Sequence, residues 1–361
     1  MKLNEYIRYI LEKGINLQPG QPVEIVCSWY LKNFIESLKN ACLKLGASSI
    51  YIHYSDGPDF EQRLQEGYDL YLEEDIRKYN FLIANHFCRI HIQSPFLFPL
   101  AVDKAAEHIY RRSLAKLEFV SEYFQKNLGQ RTMCLAANPY WAAKLKISEA
   151  ELWNIIFDFT QRESLLETIR DRLTTLKVES LYFTSERGTN LTVELTKDFA
   201  FQGKHQRTAS GIVFQPNIPC LEIYTAPDKY GVNGTLVSEK PLYLRGRSIP
   251  YYRLVFENGK AVVLEGLEDI LADEGLLYTG EIAMVANWSE RSYYAALLDE
   301  NCSCHLALGN AYPYGIYEKD RINHCPYHID LPVGGRSLKV VGRRETYEYT
   351  LIKQGKWVYE E

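Results

Sequence analysis

The chain has 361 residues, 46% of them hydrophobic and 24% charged, with a formal net charge of −5. That is the balance of a globular protein long enough for two domains, and no basic run marks a nucleic-acid surface. Its longest apolar stretches are strand-sized, too short for a membrane span, and eight cysteines are too sparse for a disulfide scaffold.

The opening "MKLNEYIRYILEKGINL" reads as an amphipathic helix and not as a signal peptide, so a cytoplasmic location is expected. "LQPGQ" is a Pro-Gly turn feeding a first strand, "PVEIVCSW". A helix, "YLKNFIESLKNACLKLGA", and a second strand, "SSIYIHY", follow. "FEQRLQEGYDLYLEEDIRKY" predicts a helix and "FLIANHFC" (81–88) a third strand; "AVDKAAEHIYRRSLAKLEFVSEYFQKNL" is helical and "RTMCLAANP" extended. Apolar runs of four to eight residues alternating with helical patterns predict βαβ units around a mainly parallel sheet. Neither a G-x-G-x-x-G nor a Walker lysine loop accompanies them, so no nucleotide cofactor is assigned. Cys27, Cys42, Cys88 and Cys134 lie in these apolar runs and read as small core residues.

After "SLLETIRDRLTTL" the periodicity becomes two residues. "SLYFTSERGTNLTVELT" and "YYRLVFENGKAVVLEG" predict antiparallel hairpins, the second turning on Asn258-Gly259. The expected organisation is therefore an α/β N-terminal domain over 1–175, followed by an α+β domain over 176–361 rich in antiparallel strands.

Chemistry concentrates in the second half. "DENCSCHLALGNAYPYG", beginning at Asp299, offers Glu300, His305 and Tyr312; "NIPCLEIYTAP" offers Glu222 in an extended run, and "TGEIAMVANWS" offers Glu281. In "HCPYHIDLPVGG", His328 and Asp330 are two apart in an extended segment and so share a face, with Ile329 and Leu331 turned the other way. Taken singly, Glu222 and Glu281 read as strand-edge acids, His305 as a packed histidine and Tyr312 as one of 27 tyrosines. Together the acids and two imidazoles form an oxygen-rich donor set suited to Zn, Co or Mn, with enough carboxylates to bridge two ions. A rival set is Cys302, Cys304, His305, Cys325 and His328. A C-x-C places its sulfurs on opposite faces of a strand, which argues against convergence on one zinc.

The wording of these segments, "NIPCLEIYTAPD", "GEIAMV", "LLDENCSCHLALGNAYP" and "HIDLPVGG", closely resembles the motifs of the aminopeptidase T/S family, the M29 metallopeptidases. The resemblance runs from "LNEYIRYILEKGINLQPGQPVEIV" through "GTLVSEKPLYLRGRSIPYYRLVFENGKAV" and covers most of the chain. It implies metal ligands at Glu222, Glu281, Glu300, His305, His328 and Asp330, and a catalytic-site tyrosine at Tyr312. It also implies two divalent metals, a homodimer enclosing the site, and peptide substrates with a free N-terminus. Two metals would activate water for hydrolysis, with Glu222 or Glu281 as general base. The chain is shorter than typical members, with losses before "LKVESLYF" and between His305 and His328.

Two further classes remain open at this stage. Some relatives of similar fold are Fe(II)-dependent ring-cleaving dioxygenases, and His305, His328 and Asp330 would supply their two-histidine, one-carboxylate set. The additional acids favour two metals and hydrolysis. The other class is a non-catalytic or pathway-specialised relative, which the shortened loops permit.

Overall fold

The computed structural model describes residues 1–58, 62, 66, 71, 73–96, 116–162, 165–196, 200–244, 247–268, 274–285, 288–311 and 319–358. The chain divides into two compact units, Met1–Arg162 with His205–Pro219, and Glu163–Lys204 with Cys220–Glu361. Against the boundary drawn from periodicity at 175/176, helix Leu166–Leu176 belongs with the second unit, because Leu166, Ile169 and Leu173 are buried in its core. Residues 205–219 return to the first unit, where the Ile218 amide donates to Met133 O and Thr132 Oγ1 donates to Gln215 O.

The first unit is built on four parallel strands in the order Ser49–Tyr54, Pro22–Cys27, Cys88–Gln93, Arg131–Leu135. Helices Lys32–Lys44, Glu73–Ala84 and Glu118–Gln125 lie in the connections between them. The expected strand at 81–88 is corrected here. Phe81–Ala84 complete helix Glu73–Ala84, the chain turns at His86 (φ 53°), and the strand begins only at Cys88. Tyr79 and Leu82, three apart and both fully buried, continue a helical apolar stripe, so the apolar run is the helix's last turn. Of the two long helices expected over 60–80 and 101–128, residues 59–61, 63–65, 67–70, 72 and 101–115 lie outside the described residues.

One charged group sits in the middle of this sheet. Glu24 is fully buried, and its carboxylate accepts from Arg89 Nε at 2.6 Å and from the Tyr79 hydroxyl at 2.5 Å. Burial pushes its pKa up, but the Arg89 cation and the His53 and Tyr79 contacts outweigh it and hold the carboxyl at about 2.

The second unit holds an antiparallel eight-stranded sheet from Lys260–Glu265 at one edge to Lys356–Trp357 at the other. Both expected hairpins are in it: Ser180–Thr184 pairs with Asn190–Leu195, and Arg253–Glu257 with Lys260–Glu265. Asn258 and Gly259 turn the second with φ of 49° and 79°, and a Cβ on Gly259 would collide with the Lys229 carbonyl. A separate antiparallel sheet has the order His328–Pro332, His305–Gly309, Thr279–Val285, Glu222–Thr225. One of its faces is core, formed by Ile223, Ile282, Met284, Leu306, Leu308, Ile329 and Leu331. Among the described residues no helix is long and apolar enough to cross a membrane.

Candidate metal centre

The other face of the four-stranded sheet carries the polar residues, and its register explains why they meet. Paired residues on neighbouring antiparallel strands point to the same side. Ala307 is opposite both Glu281 and Asp330, so those two carboxylates flank one small side chain across three strands. His305 pairs with Ala283 on one side and Pro332 on the other. His328 lies two residues before Asp330, and Glu222, paired with Val285, completes the same face. Ala283 and Ala307 leave the space that the larger polar groups occupy. Glu300 arrives differently, from the single 3₁₀ turn Glu300–Cys302 that follows the short helix Ala296–Asp299.

Distances confirm the convergence. His305 Nε2 lies 3.3 Å from Glu222 Oε2, 3.5 Å from Glu281 Oε1 and 3.9 Å from Asp330 Oδ1. His328 Nε2 lies 3.1 Å from Asp330 Oδ1 and 4.0 Å from Glu281 Oε1. Glu281, His305 and Asp330 each present a ligand atom within 4.8 Å of the others. Both rings are oriented from behind: His305 Nδ1 faces Ser303 O at 3.2 Å and His328 Nδ1 faces Asn310 O at 2.9 Å. A proton on each Nδ1 satisfies those carbonyls and leaves Nε2 for the cluster.

The cluster is short of positive charge. Four carboxyls face two imidazoles; Glu222 Oε2 and Glu300 Oε1 are shielded from solvent without a hydrogen-bond donor, and Asp330 Oδ1 has His328 Nε2 beside it at 3.1 Å. Burial, followed by the charges of Glu281 and Asp330, pushes Glu222 up to about 7 despite His305. Burial beside Glu222, Asp330 and Glu281 raises Glu300 well above the carboxylate range. His305 and His328 are driven the opposite way. Burial lowers both, but Glu281 and its neighbouring acids bring His305 to about 9, and Asp330 brings His328 to about 10. Orphaned acceptor oxygens and fixed Nε2 atoms in an acid-rich pocket are a fit for divalent cations.

The structure thus brings Glu222, Glu281, His305, His328 and Asp330 onto one sheet face, with Glu300 beside them. Tyr312 lies outside the described residues. The cysteines stand apart. Cys304 turns into the core and its Sγ accepts from the Val285 amide at 3.4 Å, Cys302 is buried, and Cys325 bonds the Tyr327 backbone. Two supporting residues were not anticipated. Asp299 accepts from the Tyr293 and Ala295 amides at 2.8 and 3.1 Å, which anchors the turn carrying Glu300. Asn301 accepts from the Leu221 amide and donates to Leu297 O at 2.8 Å, tying that turn to the strand that begins at Glu222. The adjacent letters Asp-Glu-Asn were the available signal, but nothing local tells the candidate ligand Glu300 from the two anchors beside it. A cavity of about 140 Å³ lies at the cluster, and its lining includes Glu300, His305, His328 and Asp330 together with Lys240 and Asp299.

Comparison with known proteins follows the same line. The family model for thermophilic metalloproteases, M29, matches residues 1–357. The chain is similar to aminopeptidase AmpS of Bacillus subtilis, 28% identical with 99% of this chain and 98% of the relative covered. It is also similar to aminopeptidase 2 of Geobacillus stearothermophilus, 27% identical over the same shares. Among solved structures, wild-type AmpT from Thermus thermophilus superposes with a TM-score of 0.83 at 24% identity, covering 99% of both chains. The 2,5-dihydroxypyridine dioxygenase of Pseudomonas putida reaches a TM-score of 0.58 at 14% identity over 99% and 97%, a likeness of fold alone.

Proposed function

The chain belongs to the M29 metallopeptidases, hydrolases of the metalloaminopeptidase class, and on that premise we propose that it removes N-terminal residues from peptides using two divalent ions. The proposed ligands are Glu222, Glu281, Glu300, His305, His328 and Asp330. The observation that carries the reading is the set of orphaned carboxylate oxygens around two imidazoles whose Nε2 atoms are already aimed. Six donors, four of them carboxylates, exceed what one tetrahedral ion takes and supply a bridge for a second. Zinc, cobalt and manganese all suit this set.

Ions bound there supply Lewis-acid polarisation of the scissile carbonyl and a lowered pKa for the attacking water. The residues do the rest. Glu222 and Glu281, flanking His305 Nε2 at 3.3 and 3.5 Å, are the proton acceptors at the cluster. The preference for a substrate with a free N-terminus over a blocked one rests on the family resemblance. Tyr312 is assigned the hydrogen bond to the developing oxyanion, on the strength of the family resemblance. The same resemblance supports a homodimer. Glu222, Glu281 and Glu300 weigh against a mononuclear Fe(II) dioxygenase, which needs only two histidines and one carboxylate.

Metal content per chain, and hydrolysis of a free against an N-acetylated peptide, test the proposal. His328→Ala and Asp330→Ala are each expected to lose metal and activity while remaining folded. Full metal loading in both variants would refute the ligand assignment, and equal cleavage of blocked and free peptides would refute the aminopeptidase reading.

A further inference from the structure

We propose that Asn323 is a positioning residue for the metal centre: it fixes the backbone carbonyl that aims His328, and so sets the affinity of the ion that His328 would hold. This rests on the two-metal reading above.

His328 pairs with Gly309 across the sheet, and its Nδ1 faces the carbonyl of the next residue, Asn310, at 2.9 Å. The direction of that carbonyl sets the ring, and the ring sets where Nε2 points. Asn310 lies just past the end of strand His305–Gly309, so its peptide needs support from outside the strand.

Asn323 gives that support on both sides. Its Nδ2 donates to Gly309 O at 2.6 Å, which fixes the peptide before Asn310. Its own carbonyl accepts from the Ala311 amide at 2.8 Å, which fixes the peptide after it. That second peptide is the one whose carbonyl meets His328. The other Nδ2 proton goes to Gly275 O at 2.7 Å. Two carbonyl oxygens can only accept, so the atom between them is the amide nitrogen. The Asn310 amide, donating to Tyr327 O at 2.6 Å, completes the frame.

The packing leaves little room for adjustment. Asn323 is 1% exposed, and a Cβ on Gly280 would collide with the Asn310 carbonyl. Bare backbone beside Glu281 therefore lies against the group that orients His328. Removing the Asn323 amide leaves two buried carbonyls without their donor and frees the Asn310 peptide to rotate. His305 is aimed independently, by Ser303 O, so the loss should fall on one imidazole and not on both. Outer partners of metal-binding histidines typically change metal affinity by about 10–100-fold.

The experiment uses the full chain, stripped with chelator and titrated with Co(II) against a chromogenic competitor while the visible absorption of the bound ions is recorded. Asn323→Asp keeps the shape and removes both donors. Its added negative charge alone would strengthen cation binding, so weaker binding reports position. Asn323→Ala leaves space that water can fill. Ile352→Ala, a core truncation in strand Tyr347–Lys353 of the eight-stranded sheet, controls for lost stability. Wild type is expected to take two ions. Both Asn323 variants should hold one ion as wild type does, bind the other about 10–100-fold more weakly, and show an altered absorption band for it. Ile352→Ala should unfold at a lower temperature and bind both ions normally. Wild-type affinity and absorption in both Asn323 variants overturn the inference, as does failure of both to fold, which would make Asn323 a structural residue. A wild type that binds one ion, or that cleaves no peptide, overturns that part of the reading above, while a weakened ion in the variants still carries Asn323. A wild type that binds no ion overturns both.

Discussion

Replacing Glu222 by glutamine is expected to move metal content and stability in opposite directions. Glu222 is 3% exposed, its Oε2 has no hydrogen-bond donor, and burial with nearby acids brings its carboxyl to about 7 from an ordinary 4.5. The metal-free native state therefore keeps this proton longer than the unfolded chain. Stability falls as pH rises from about 4.5 to about 7, and the full penalty, on the order of 3 kcal/mol, applies above that window. Glutamine keeps the volume and removes the charge, at about 1 kcal/mol for burying an amide with imperfect partners. The net expectation for chelator-treated protein at pH 8 is a gain of roughly 1–3 kcal/mol, or about 2–4 °C per kcal/mol for a unit of this size. Below pH 4.5 the gain should vanish. The metal-loaded protein should show the reverse, with less metal bound and lower activity. Thermal unfolding with and without chelator, at pH 4 and pH 8, reads all of this. A glutamine variant less stable than wild type at pH 8 without metal would refute the charge-excess account, and unaltered metal content would remove Glu222 from the ligand set.

Three other expectations are independent of that one. The triple change Cys302→Ala, Cys304→Ala, Cys325→Ala should keep its metal and at least part of its activity, since burial pushes the Cys304 thiol up to about 12 and keeps it protonated; outright metal loss would restore the cysteine site. Tyr312→Phe should lower kcat by about 100–1000-fold, leave KM nearly unchanged and keep the metals bound; normal steady-state turnover would take Tyr312 out of the mechanism. Arg89→Met should destabilise the first unit by about 3–5 kcal/mol near neutral pH, because it strands the buried Glu24 carboxylate. That pair's contribution is present above about pH 4.5 and is lost as pH falls toward 2, so denaturant titrations should separate wild type from variant at pH 7 and bring them together as pH approaches 2.

Much of the architecture was already written in local pattern. Helix–strand alternation announced the parallel sheet, and the two-residue period announced the antiparallel half, down to the turn at Asn258-Gly259. The site face was foreshadowed the same way: Glu281-Ile282-Ala283, His305-Leu306-Ala307 and His328-Ile329-Asp330 each alternate a polar or small residue with an aliphatic one. Alternation is a property of one segment, and it says which residues share a side of their own strand. It does not say which strand lies alongside or in what register. That Ala307 stands between Glu281 and Asp330, and that Pro332 and Ala283 bracket His305, came only from the folded pairing. Glu300, Asp299 and Asn301 sit in one tight turn with no period to read, so the proposed ligand and its anchors there separate only by their distant partners. Phe81–Ala84 misled for the converse reason, since four apolar residues in a row suit a strand or a buried last helical turn equally. The Glu24–Arg89 pair was silent because the two residues are 65 apart in the chain and become neighbours only in the parallel ladder. Local periodicity is decided by the geometry of a few consecutive residues, whereas register and buried charge pairing are decided by which distant surfaces exclude water together.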